Sequence, residues 1–212
     1  AINADLTRGS DFTRMQRISV NRGRCFMGTT KVGAFDISDE FAVSMLSDQN
    51  PHCRPNSDVV RPFRNGSDLV RKCSNRWIVD FGVDMSEDEA ALYQKPFEYV
   101  MTEVRAKRIE NNDSWRAEHW WLLGRTLASF REATADLTRY IATARVAKHR
   151  VFVWLDAAVL PDSKVIAIAF GSDCAMGVLH SRLHESWTRA SCGWHGKGND
   201  MTYNPTSCFE TF

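Results

Sequence analysis

Apolar and polar positions alternate irregularly along most of this chain, but the pattern changes between Arg139 and Leu155. Small and apolar residues dominate Tyr140 to Val146. Val151 to Leu155 is a continuous β-branched and aromatic run of the kind buried in sheets. Between the two runs Arg145, Lys148, His149 and Arg150 place four cation-forming side chains within six residues. The pattern predicts two strands meeting at a basic elbow, with Lys164 to Phe170 as a third buried strand. Shorter strands are expected at Val59 to Phe63, at Trp77 to Phe81, and at Ile18 to Val20 and Cys25 to Met27 around the turn Asn21-Arg22-Gly23. Pro62 cannot donate to a ladder and points to an edge position for its strand.

Helices are marked by their caps. Ser38 precedes Phe41, Ala42, Met45 and Leu46 at helical spacing, and Ser86-Glu-Asp-Glu89 is a capping box. Pro96 interrupts or restarts that second helix, after which Phe97, Val100, Met101 and Val104 form a stripe. Trp115, Trp120 and Trp121 are expected in a short helix packed on the sheet, and Thr126 as the cap of another holding Leu127 and Phe130. Ser172 is expected to begin one long helix with Met176, Leu179, Leu183 and Trp187 as its stripe. Gly28 to Gly33 reads as a flexible polar loop, residues 47 to 58 as a polar linker, and residues 191 to 204 as a glycine-rich loop or hairpin. The sum is an α+β fold: a twisted mixed or antiparallel sheet, packed helices and protruding loops.

Composition narrows the partners. At 212 residues and 43% apolar the chain can build one domain or two closely packed ones, and the net charge of +1 excludes a global basic field. Charge is instead segregated. Residues 54 to 76 carry Arg54, Arg61, Arg64, Arg71, Lys72 and Arg76, whereas residues 80 to 103 are rich in Asp and Glu. The six cysteines are scattered without a C-x-x-C pair, and no apolar run approaches the roughly 20 residues that span a bilayer, so a reduced cytoplasmic setting is expected.

Most catalytic signatures are missing. There is no G-x-G-x-x-G, no Walker loop, no G-x-S-x-G, no H-E-x-x-H and no Asn/Asp-Pro-Pro-Tyr/Phe motif. His180 and His184 at i, i+4, followed by Cys192 and His195, are legitimate zinc ligand types, but their spacing matches no zinc pattern and no metal is expected. Two further readings are kept beside the main one: an independent zinc-dependent nucleic-acid enzyme using those four residues, and an interaction domain using residues 115 to 121. The tryptophans themselves are expected in the core. What remains is basic and amide chemistry: Arg145, Lys148, His149 and Arg150 in one segment, Lys197, Asn199, Asp200 and Thr202 in another. Lysine suits guanine, Asn adenine and Asp the cytosine amine, while Arg and Lys suit phosphate oxygens.

The order of segments resembles the target recognition domain of MmeI-like (type IIL and type IIG) adenine-N6 DNA methyltransferases of restriction–modification systems. The resemblance rests on Arg61-Pro-Phe-Arg-Asn-Gly-Ser-Asp-Leu69, Arg76-Trp-Ile-Val-Asp-Phe81, Trp120-Trp121, Ala144-Arg-Val-Ala-Lys-His149, Ser181-Arg-Leu-His-Glu-Ser-Trp187 and Tyr203-Asn-Pro-Thr-Ser-Cys-Phe-Glu-Thr-Phe212. It implies a module, from residue 21 to residue 212, that binds double-stranded DNA and presents one adenine to a catalytic domain. That domain, with its Asn-Pro-Pro-Tyr motif and S-adenosylmethionine, would lie upstream of a lead-in at residues 1 to 20. No residue or cofactor of the reaction is expected within this chain. Carried over by position, the specificity side chains fall at Gly198, Asp200 and Thr202, with Lys197 and Asn199 beside them. Many relatives carry arginine where this chain has Thr202. Arg145, Lys148, His149 and Arg150 are the expected DNA contacts of the elbow, with Arg64, Asn65 and Arg182 as further phosphate contacts.

Overall fold

The strongest apolar runs become neighbours at the centre of a sheet. β5 (Arg139–Ala144) buries every residue after Arg139, and β9 (Val165–Ile168) is buried throughout. The two pair antiparallel, with Ile141 opposite Ile168 and Thr143 opposite Ile166. β1 (Cys25–Met27) flanks β9 and β7 (Phe152–Asp156) flanks β5, giving the order β1-β9-β5-β7 with every pair antiparallel. The computed structural model describes residues 14–110 and 112–212. Most of the expected lead-in therefore lies outside the described residues. The chain divides into two compact units: Ala1–Met27, Ser129–Ala157 and Lys164–Phe212 in one, Gly28–Ala128 and Ala158–Ser163 in the other. Helices and mixed sheets make the fold α+β.

In the first unit Ile141, Phe152, Ile166 and Ile168 meet Leu179, Tyr203, Cys208 and Phe209 in one apolar cluster. α6 (Ala128–Thr134) adds Phe130, whose ring stands edge-on to Tyr140 at 5.2 Å between centroids. Two sequence expectations change here. Ile18 to Val20 is not a strand: Ser19–Asn21 is a 3₁₀ turn, and the Ile18 amide is tied to the Glu210 carbonyl at 2.6 Å. The long helix after Ser172 is two helices, α7 (Asp173–Leu179) and α8 (Arg182–Ser191), because Ser181 begins a second N-terminus by accepting from the His184 amide at 3.2 Å. The restart rotates the buried face of α8 onto His184 and Thr188 and leaves Leu183 72% exposed. The expected stripe holds at Met176 and Leu179, which pack on the core, and fails at Leu183, because it counted apolar residues only and ran through the restart.

The second unit is built on the sheet β2-β4-β3-β8, from β2 (Asp36–Ile37), β3 (Val60–Arg64), β4 (Arg76–Val79) and β8 (Leu160–Pro161). β3 is internal rather than an edge. Pro62 is tolerated because β8 pairs only beyond it, at Phe63 and Arg64. α1 (Asp39–Ser47) is capped by Ser38 as expected and buries Ala42 and Met45. The Ser86 capping box opens α2 (Glu87–Ala91). α3 (Gln94–Val100) carries Pro96 in its first turn, continues through a π-helical turn at Met101–Arg105, and gives way to α4 (Ala106–Ile109). Val100 and Val104 are fully buried, but Met101 is exposed.

The tryptophans divide. α5 (Ser114–Glu118) leaves Trp115 41% exposed, stacked on His119 at 4.9 Å, whereas Trp120 and Trp121 are buried as expected. Residues 28 to 33 are not a loose loop. The buried Thr29 donates its hydroxyl to the Arg125 carbonyl at 2.6 Å and bridges to Asp162. Arg108, 1% exposed, donates to the carbonyls of Val32 at 2.8 Å and Lys31 at 2.7 Å. Burial lowers its pKa to about 10, so it holds its charge at neutral pH. No helix among the described residues is long and apolar enough to cross a membrane.

Candidate nucleic-acid interface

The basic elbow and the glycine-rich segment are hydrogen-bonded neighbours. β5 ends at Ala144, and the chain bends at Arg145 into β6 (Val146–Ala147), which joins a second sheet. β10 (Gly193–His195) and β11 (Asp200–Thr202) form an antiparallel hairpin, and β11 lies between β10 and β6. Met201 faces Ala147, Thr202 faces Val146, and the Tyr203 amide donates to the Arg145 carbonyl at 2.8 Å. The hairpin closes through residues 196 to 199, with the Gly198 amide donating to the His195 carbonyl at 3.1 Å. Gly196 and Gly198 have φ of +64° and +81°, which glycine adopts without the strain a Cβ would bring.

Strand alternation sorts the side chains. Trp194, Met201 and Ala147 share one face, on which Met201 is 1% exposed and Trp194, on the outer strand β10, is exposed. The opposite face carries His195, Asp200, Thr202 and Val146, and Lys148 lies in the bend that directly follows Ala147, beyond the last β6–β11 pair. Among the described residues, the side chains of Arg145, Lys148, His149, Lys197, Asn199, Asp200 and Thr202 have no hydrogen-bond or ion-pair partner. They form a polar set with unused donors and acceptors.

Arg150 is different. Its Nη1 donates to the Thr143 hydroxyl at 3.1 Å and to the Ala144 carbonyl, and its Nη2 to the Met201 carbonyl at 2.9 Å. The guanidinium stands 5.2 Å over the Tyr203 ring, and burial lowers its pKa. This arginine clamps β5 to β11 from beneath and leaves little of its fork for an outside phosphate. The other candidates also separate. Arg64 donates to the Phe63 carbonyl at 2.9 Å, and the Asn65 carboxamide oxygen accepts from the Ser67 amide at 2.8 Å and its hydroxyl at 2.6 Å, shaping a turn. Both belong to the second unit. Arg182 is exposed at the start of α8, while the hairpin follows the end of that helix, about 14 Å along its axis. The structure thus brings together Arg145, Lys148, His149, Lys197, Gly198, Asn199, Asp200 and Thr202.

The histidines at i, i+4 brace this sheet. The His180 Nε2 accepts from the Phe152 amide at 3.3 Å. In His184 the Nδ1 lies 2.9 Å from the Leu179 carbonyl, which can only accept, so Nδ1 carries the proton and Nε2 accepts from the Tyr203 hydroxyl at 3.1 Å. Burial, with smaller contributions from the nearby Arg150 and His180 charges, lowers the His184 pKa. Unfolding restores an ordinary value of about 6.5. The unfolded chain therefore takes up a proton before the folded one does. The stability His184 contributes is fully present above about pH 6.5 and is lost as pH falls toward the depressed folded value. Urea midpoints measured at pH 7.5 and 5.5 are expected to drop more in the native chain than in a His184→Gln variant; equal drops would remove His184 as the cause. Among the described residues no group of three or more His, Cys, Asp or Glu side chains is arranged to hold a metal.

Two exposed residues of β10, Trp194 and His195, are not among the DNA contacts expected from the sequence. The strand is three residues long and bounded by glycines, so its alternation is too brief to show as a period.

No protein-family model matches the chain, and no curated protein does. Its structure is similar to that of MmeI, a type IIL restriction-modification enzyme solved in complex with DNA, with a TM-score of 0.70 and 18% sequence identity. The match covers 100% of this chain and 28% of the length of that one. Over its whole length the chain has the fold of the matching portion of a type IIL restriction-modification enzyme.

Proposed function

We propose that this chain is the DNA target recognition domain of an S-adenosylmethionine-dependent, site-specific adenine-N6 DNA methyltransferase of the restriction–modification type. The observation that carries this reading is the pairing of β6 with β11, which brings the segment holding the unpartnered cations of the elbow beside the polar hairpin. A two-stranded ribbon such as β10–β11 fits the major groove of B-DNA. Arg145, His149 and Lys197 are suited to phosphates and Asn199, Asp200 and Thr202 to base edges. The fold shared with an enzyme solved on DNA supports the same reading.

The methyl group would come from S-adenosylmethionine held by an upstream methyltransferase domain. This chain has no Asn-Pro-Pro-Tyr motif, and its part in this reading is to bind and orient the duplex. A cytoplasmic setting with no membrane partner follows from the same reading.

The test is duplex binding by the 212-residue chain across a salt series. Log K is expected to fall linearly with log salt, by about 0.9 for each phosphate neutralised. Binding that is absent at low salt, or flat with salt, would exclude a DNA-reading role.

A further inference from the structure

We propose that His195 is a specificity residue, and that His195, Asp200 and Lys148 together read one A·T base pair in the major groove. This inference rests on the DNA-recognition reading above and adds to it a residue and a base pair.

The three residues come from three adjacent strands or strand ends. His195 is directly opposite Asp200 in the β10–β11 register, and Lys148 follows Ala147, which is opposite Met201. Directly opposed residues share a face, so His195 and Asp200 stand side by side, and the strand order β10-β11-β6 puts Lys148, in the bend after β6, on the far side of Asp200 from His195. His195 and Lys148 are exposed and Asp200 half-buried, and none of the three has an internal hydrogen-bond partner among the described residues. Met201, buried between its paired neighbours Trp194 and Ala147, holds the backbone that carries His195 and Asp200.

The chemistry of the row has an order. The imidazole N–H donates, the carboxylate accepts, and the ammonium donates. An A·T pair presents adenine N7 as acceptor, adenine N6 as donor and thymine O4 as acceptor in the major groove. A G·C pair presents two acceptors and then the cytosine donor, which leaves the central carboxylate facing guanine O6. Donor–acceptor–donor therefore complements A·T or T·A and opposes G·C or C·G. The surrounding free cations, Arg145, His149 and Lys197, match the charge of the phosphates on either side of such a groove.

Selection of bound duplexes from a randomised library by the 212-residue chain, followed by sequencing, tests this directly. The native chain is expected to favour A·T or T·A over G·C at one position by about 5- to 150-fold. His195→Ala should relax that position alone, with the salt slope unchanged. His195→Gln, which keeps a donor, should retain the preference. Asp200→Lys should turn the same position toward guanine. Preferences that survive His195→Ala at every position, or relaxation at a G·C position, would overturn the assignment while leaving DNA recognition intact. A native chain that binds no duplex at all would remove both.

Discussion

Replacing Arg150 by alanine is expected to lower the unfolding free energy by about 3 kcal/mol, since hydrogen bonds from a charged group are worth about 1.5–3 kcal/mol each and do not add fully. The variant loses donors to Thr143, Ala144 and Met201 at once, and with them the link between β5 and β11. Lysine does not replace it, because a single ammonium cannot present the planar fork that reaches both strands. Urea unfolding followed by tryptophan fluorescence measures the effect. Arg145→Ala is the internal control: its side chain has no partner among the described residues, and its change should stay within about 0.5 kcal/mol. Equal losses in the two variants would show that the clamp carries no special weight.

Reversing charge at Arg145 and Lys197 together is expected to give the largest change in binding. If each side chain neutralises one phosphate, the double variant Arg145→Glu, Lys197→Glu should lose about 1.8 from the slope of log K against log salt. Because phosphate contacts carry no sequence information, affinity should fall by a similar factor on every duplex. Electrophoretic or fluorescence titrations at several salt concentrations read both quantities. A loss confined to one sequence would move Arg145 or Lys197 from the backbone to a base edge. No loss would take the elbow off the docking surface. Both sites are exposed, so the fold should tolerate the changes.

Where local chemistry decides conformation, the residues announced it. The caps at Ser38, Ser86 and Ser172 all accept the expected backbone amides, because an N-cap depends only on a few neighbouring residues. The continuous runs at β5 and β9 are legible for a similar reason: a stretch buried on both faces has no polar alternation to confuse it. The restart at Ser181 was not seen, since a helix whose buried face is His184 and Thr188 looks polar until Tyr203 and Phe152 are seen packed against it. Pro62 misled in the same way. Whether a proline is tolerated inside a sheet depends on where the next strand stops pairing, and no neighbouring residue records that.

By itself the sequence determined the buried central strands and the serine-capped helix starts, that cations gather at the 145–150 elbow, and that polar side chains gather at residues 197 to 202. Only the tertiary structure decided which of those groups face outward with nothing to bind. Arg145 and Arg150 are five residues apart and chemically identical, yet one ends without a partner among the described residues and the other lies against Tyr203. The physical reason is that a guanidinium's fate is set by the carbonyls within its reach. Those of Arg150 belong in part to β11, about fifty residues further along the chain, and they come near only when the hairpin pairs with β6.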